Sequence, residues 1–313
     1  MINSINKIDD VELRQLEYFV TVAGEMSFSK AASRAHVVQS ALSMSVGKLE
    51  RELGVQLFDR SRQQIRLTPA GERFLTHARD VLRTARTAAE SISEFRGALS
   101  GTVEFGSLIS FGPLDVASAL GRFHRAHPHV RLRLHLSQSG ASSYLTDLAE
   151  GALDLALVSA PDRFPPQLDL RLLFEDPMTF VCPPDHPLHT RPQVALAELA
   201  EEELIGFPPS FGLRRLMDDA FRAAGATCRT QYEAPAGFAV LAELVRNGLG
   251  TAFMPTSEAQ RFPDLHAIAL ATPVTWQVYL ASPPEMSPAT ARLADALLEA
   301  AVKTNRLPHR DLN

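Results

Sequence analysis

Residues 36–54 read HVVQSALSMSVGKLERELG, and the two faces of this one helix decide how the first part of the chain is read. Leu42, Val46, Leu49 and Leu53 recur at i, i+4, i+7 and i+11, the spacing of a single apolar stripe. The opposite stripe holds Ser40, Ser43, Met44 and Gly47, which are small, mostly uncharged and able to lie flush against another surface. The floor of a DNA major groove accepts such a face, because hydroxyls and amides meet base edges there and a thioether rests on a thymine methyl. An exposed helix of indifferent composition is the competing reading.

The flanks favour the groove. LRQLEYFVTVAGE (13–25) places Leu13, Leu16, Phe19, Val20 and Ala23 on one helical face. Ser27 offers an N-cap for a short helix, FSKAASRA, whose Ala31, Ala32 and Ala35 permit close helix packing. A turn at His36–Val38 leads into the third helix, so the order is that of a helix-turn-helix. VQLFDRSRQQIRLTPAG (55–71) then reads as two short strands around a basic connection, a wing beside the helices rather than a merely solvated hairpin. The expected DNA contacts are Ser29, Gln39, Ser40, Ser43, Met44 and Lys48 at the groove, with Arg60, Arg62 and Arg66 meeting phosphates.

The net charge of −5 looks unsuited to nucleic acid, but it is unevenly spread. Residues 1–100 hold 14 Lys and Arg against 12 Asp and Glu, leaving 17 against 24 in the remainder. Within Leu13–Thr68 the balance is 8 against 5, and phosphate contacts depend on the local field. With 313 residues, two or three compact units are expected. No apolar run approaches the ~18 residues of a membrane span. MINSINKIDDVE lacks the apolar core of a secretory signal, so a cytoplasmic location without membrane contact is expected. Cys182 and Cys228 lack CxxC spacing and read as buried structural thiols.

Thr68 and Pro69 open a long helix. Phe74, Ala78, Val81, Ala85, Ala88, Ile92 and Phe95 alternate by four and three, a heptad stripe that a second copy of the chain would bury. A helix lying along its own body is the alternative. Beyond GALSG (97–101), strand and helix signals alternate: TVEFGSL, VRLRLHL and LDLALVS are strands, with helices near Leu114–His127 and at SSYLTDLAEG. A similar set recurs at ELIGF, after Phe211, over Gly237–Asn247 and at TAFMP, giving an α/β body of two similar lobes. Ligands in such lobes lie at the carboxyl ends of strands, against helix N-termini. The Ser- and Gly-rich segments Ser107–Gly112, Ser137–Ser143, Phe207–Gly212 and Ala236–Phe238 meet that description. No nucleophile elbow, Walker A or dinucleotide fingerprint is present, and the three histidines of HRAHPH (124–129) read as surface residues. No enzyme activity, metal or cofactor is expected.

Taken together, LRQLEYFVTVAGEMSFSKAA and VVQSALSMSVGKLERELGVQLFDRSRQQIRLTPAG resemble the winged helix-turn-helix of LysR-type transcriptional regulators, with a weaker match to about residue 300. The chain departs from that pattern at Val38, where the family usually has a capping Ser, and at Met44, where a basic residue is common. The resemblance implies a DNA-binding domain over 13–68, a linker and dimerisation helix over 69–97, and an effector-binding domain over 102–305 of periplasmic-binding-protein type. Its lobe I would span about 102–176 and 281–305, and lobe II about 177–280. Also implied are a homodimer or homotetramer, double-stranded DNA and RNA polymerase as partners, and a small anionic or aromatic-acid effector. That effector would meet Ser107, Ser110, Phe111, Gly140, Ser142, Phe207, Phe211, Gly237 and Phe238. The rivals are a cytoplasmic small-molecule-binding protein without DNA function, and a thiol redox sensor of the same fold.

Overall fold

The computed structural model describes residues 11–60, 65–94, 99–136, 142–159, 165–234 and 237–306. The chain divides into two compact units, Met1–Ile92 with Glu150–Ala152, and Ser93–Ala149 with Leu153–Asn313.

In the first unit, α1 (Leu13–Glu25), α2 (Phe28–Arg34) and α3 (Gln39–Leu53) are followed by strands β1 (Phe58–Asp59) and β2 (Arg66–Leu67) and by α4 (Pro69–Glu94). The apolar stripe of α3 is the reason it packs: Leu42, Val46 and Leu49 are fully buried among Phe19, Val22 and Ala31. Phe19, Phe58 and Phe74 meet at ring-centroid distances of 5.3 Å. Ser27 caps α2 through the Lys30 amide, and α3 stops at Gly54, whose positive φ of 70° lets the chain turn back. The strands pair antiparallel, Phe58 with Leu67 and Asp59 with Arg66. Thr68 caps α4 by accepting from the Gly71 amide at 3.0 Å.

The stripe on α4 is divided between two uses. Phe74 packs on Phe19, and Ala78 is fully buried in this unit's own core. The expected dimer seam therefore loses Phe74 and Ala78, because the helices beside them already cover that face. Val81 and Ala88 are exposed and Ala85 is half-buried. The side chain of Ile92 and all of Phe95 lie outside the described residues.

The second unit is built on one sheet of order β4-β3-β5-β12-β6-β10-β8-β9. The strands are β3 (Gly101–Ser107), β4 (Val130–Leu136), β5 (Leu155–Ser159), β6 (Asp169–Cys182), β7 (Gln193–Val194), β8 (Leu204–Gly206), β9 (Thr230–Glu233), β10 (Thr251–Pro255), β11 (His266–Leu270) and β12 (Thr275–Ser282). The helices are α5 (Val116–Ala126), α6 (Ser142–Ala149), α7 (Gly212–Ala223), α8 (Phe238–Arg246), α9 (Thr256–Ala259) and α10 (Pro288–Arg306). β3 lies parallel to β4 and β5, and β8 parallel to β9 and β10, so each lobe carries the α/β pattern read from the sequence.

Strand β6 belongs to both lobes. Asp169–Pro177 pairs with β12, while Met178–Cys182 pairs with β10 and β11. Lobe I regains the chain at Thr275 rather than Ala281, since all of β12 pairs with lobe I strands. The point of return differs from the sequence expectation because register against distant strands leaves no local mark in the sequence.

Candidate functional site

On α3 the outer face is bare. Gln39, Ser40 and Met44 are exposed and Ser43 is half-buried, and Met44 is 73% exposed on the side away from Leu42 and Leu49. Val38, the residue before the helix, makes no side-chain cap, which leaves the first amides of α3 for another acceptor. Ser29 donates to the Gln39 side-chain carbonyl at 2.9 Å and so turns the amide donors of Gln39 outward.

The cations divide differently from the sequence expectation. Arg60 folds back onto α3 and α2: Nη2 donates to Glu50 Oε2 at 2.9 Å, and the guanidinium lies 4.8 Å over the Phe28 ring. Glu50 is buried, and its Oε1 also accepts from the amides of Leu57 (2.8 Å) and Phe58 (3.1 Å). Arg60 therefore fastens the first wing strand to α3, and we reassign it from phosphate contact to the fold. Lys48 pairs with Glu12 at 3.1 Å and Glu52 at 3.5 Å, and the hydrogen bond it donates to Glu12 raises its pKa. Its charge is locally cancelled, so it too is reassigned. Arg66 is exposed and has no partner among the described residues, whereas Arg62 lies outside them.

In the second unit, a cavity of about 600 Å³ opens between the β3–α5 loop of lobe I and the starts of α8 and α9 in lobe II. Of the nine residues expected to hold an effector, Ser110, Phe111, Gly237 and Phe238 line it. Gly112 (φ +57°) folds this loop over Phe174 and Trp276; a Cβ there would stand 2.7 Å from the Phe174 ring. Ser110 donates to Glu258 and accepts from the Gly112 amide at 3.0 Å.

Three of the nine do not line it. The buried Ser107 hydroxyl is spent on the Leu108 carbonyl at 3.1 Å. Phe207 and Phe211 stack on each other at 5.4 Å inside lobe II, and Phe238 meets Phe207 edge-on at the same distance. Phe207 and Phe211 are buried core aromatics, their rings used against each other and Phe238. Gly140 and the Ser142 side chain lie outside the described residues.

The sequence reading missed Asp115, Glu258, Arg261 and Phe262, which also line the cavity. Glu258 and Arg261 follow TAFMP, a strand whose carboxyl end obeys the same rule that located the others. Asp115 caps α5, and the hydroxyl and amide of Ser118 hold its carboxyl below the ordinary range.

Neither thiol is disposed to react. Cys182 ends β6 in the core, and burial, with Glu202 and Asp185 nearby, pushes it up to about 11. Burial also raises Cys228. A thiol is nucleophilic only as thiolate, and these environments favour the protonated form. Among the described residues no group of His, Cys, Asp and Glu is arranged to hold a metal, and no helix is long and apolar enough to cross a membrane.

A winged helix-turn-helix with a bare groove face, carried with a two-lobed body that holds a ligand-sized cavity, defines a DNA-binding regulator of transcription. Family models agree on both parts: residues 13–72 match the bacterial regulatory helix-turn-helix protein of the lysR family, and residues 96–302 match the LysR substrate binding domain. The chain belongs to the LysR family of bacterial transcriptional regulators. It is 32% identical to the HTH-type transcriptional regulator YnfL of Escherichia coli over 79% of this chain and 83% of that protein. It is also 32% identical to a hydrogen peroxide-inducible genes activator of Dickeya chrysanthemi, over 79% of each. Among solved structures, a full-length OxyR variant from Pseudomonas aeruginosa aligns with a TM-score of 0.72 at 26% identity, covering 93% of this chain and 94% of that one.

Proposed function

We propose that the protein is a cytoplasmic homo-oligomer, a dimer or a tetramer of dimeric pairs, whose DNA grip is set by a small effector in the cleft of the second unit. The observation that carries the DNA half is the α3 face, where exposed Met44 lies among Gln39, Ser40 and Ser43 opposite the buried stripe. Gln39 and the serines read base edges, Met44 rests on a thymine methyl, and Arg62 and Arg66 of the wing meet phosphates. The α4 stripe from Val81 onward joins two copies, and RNA polymerase is the partner through which transcription changes. In the cleft, Ser110, Phe111, Gly237 and Phe238 contact the effector. Effector binding shifts the population between oligomer geometries, which requires different affinity for the two states. No catalytic step is assigned to any residue.

The test is a gel shift with duplex DNA from upstream of the protein's own gene at several salt concentrations. Retention that weakens steeply with salt is expected, because each phosphate contact contributes about −0.9 to the log–log slope. No retention on any duplex would leave a small-molecule-binding protein without DNA function. A thiol-based reading is disfavoured by the raised pKa of both thiols, the buried Cys182 and the half-buried Cys228, which keeps them in the protonated form.

A further inference from the structure

We propose that the occupant of the cleft is a zwitterion, an α-amino acid or a molecule of the same polarity, with carboxylate, ammonium and an apolar body. The proposal rests on the cleft being the effector site.

Three parts of the cavity wall carry it. At one end α8 begins at Gly237, a residue with no side chain to cap a helix. The first amides to find a helical partner are those of Val240 and Leu241, both on the Gly237 carbonyl. The amides of Phe238 and Ala239 have no acceptor among the described residues, and both residues line the cavity. Unfilled amides at the positive end of a nine-residue helix suit a carboxylate. The start of α5 does not compete, because Asp115 already fills it by accepting from the Ser118 amide at 3.1 Å.

The second part has the opposite sign. The Glu258 side chain is 4% exposed, yet it lines the cavity. Its oxygens offer about four acceptor positions. Ser110 takes one, and Arg261 reaches both oxygens, at 3.5 and 3.3 Å, from a guanidinium that is 68% exposed. Contacts from so exposed a cation are weak and readily replaced. An ammonium in the cavity would take the place of Arg261, and Asp115 adds a second negative charge to the same wall. A ligand bearing only carboxylates meets repulsion at Glu258, and one bearing only an amine leaves α8 unfilled. Between the two ends, Leu108, Ile109, Phe111 and Phe262 supply an apolar wall. Only a molecule with both charges on an apolar body satisfies all three parts.

The test is calorimetry on the full chain with the twenty protein α-amino acids. Each apolar member is paired with analogues lacking one charge, for example L-leucine with 4-methylpentanoate and 3-methylbutylamine. At least one amino acid is expected to bind tenfold or more tightly than both of its analogues. Glu258→Gln should erase that advantage over the carboxylate while leaving binding of the carboxylate unchanged or tighter. No binding by any amino acid, or a carboxylate analogue that equals its amino acid, overturns the proposal. Ala239→Trp separates the two layers of inference, since it fills the cavity. If it abolishes binding of a carboxylate that outperforms its amino acid, the cleft stands and the zwitterion falls. If amino-acid binding survives both variants, the cleft reading itself falls.

Discussion

The carboxylate of Glu50 offers a direct measure of how much of the DNA-binding unit hangs on one side chain. It is buried, and it receives the Leu57 amide, the Phe58 amide and Arg60 Nη2 at 2.8, 3.1 and 2.9 Å. Glu50→Ala strands two buried amides, at roughly 1–3 kcal/mol each. The freed Arg60 side chain is 40% exposed and rehydrates, so its loss adds little. The sum is about 4 kcal/mol, a large share of the 5–15 kcal/mol that holds an ordinary domain. Glu50→Gln keeps a neutral acceptor for the amides and should cost about 1–2 kcal/mol. The only tryptophan, Trp276, lies in the other unit, so its fluorescence does not report this loss. Hydrogen exchange at Leu57 and Phe58 does, and both amides should lose protection in Glu50→Ala, less so in Glu50→Gln. A companion measurement separates fold from phosphate contact. Arg60→Ala leaves the buried Glu50 carboxylate without its cation, so it should lower stability and leave the salt slope of DNA binding alone, whereas Arg66→Ala should flatten the slope by about one unit at unchanged stability. An Arg60→Ala protein with full stability and a slope flattened by one would refute the assignment.

Three further outcomes follow from the same geometry. At Gly47 the nearest atom to an added Cβ is Arg51 Nη1 at 3.7 Å, so packing within the unit does not require glycine. Gly47→Ala should stabilise the unit by up to ~1 kcal/mol and weaken specific DNA binding about tenfold; full binding would remove this face from the groove. Val81 is 47% exposed on α4, and Val81→Arg should turn the oligomer into monomer by light scattering, an unchanged mass excluding that seam. Cys182, raised from 9.0 to about 11 chiefly by burial, contributes stability that is complete below pH 9 and lost as pH rises through 11. Cys182→Ala should flatten the alkaline limb of a denaturation series between those values. An identical limb in both proteins would contradict the buried, protonated thiol.

What the sequence disclosed, and what it hid, divides along one physical line. Helices α1 to α3 were readable nearly to the residue because their causes are local: the spacing of Leu42, Val46 and Leu49, the Ser27 cap, the Gly54 stop. The double membership of β6 was not, since it depends on register with β10 and β12, strands far along the chain. Within the sites the same division recurs at the scale of single hydrogen bonds. Arg60, Lys48, Ser107 and Arg66 all present suitable chemistry in the sequence, and three of the four have spent it inside the unit, on Glu50, on Glu12 and Glu52, and on the Leu108 carbonyl. Glu258 is the converse case. Nothing in the sequence singles it out, yet it is buried at a cavity wall. Residue type sets what a group is able to bind, and only the folded neighbourhood decides whether that capacity is still open. On that criterion the candidates still open to DNA among the described residues are Gln39, Ser40, Ser43 and Met44 on the groove face and Arg66 for phosphate. In the cleft the candidates are the bare amides at the start of α8 and the carboxylate of Glu258, which line one cavity.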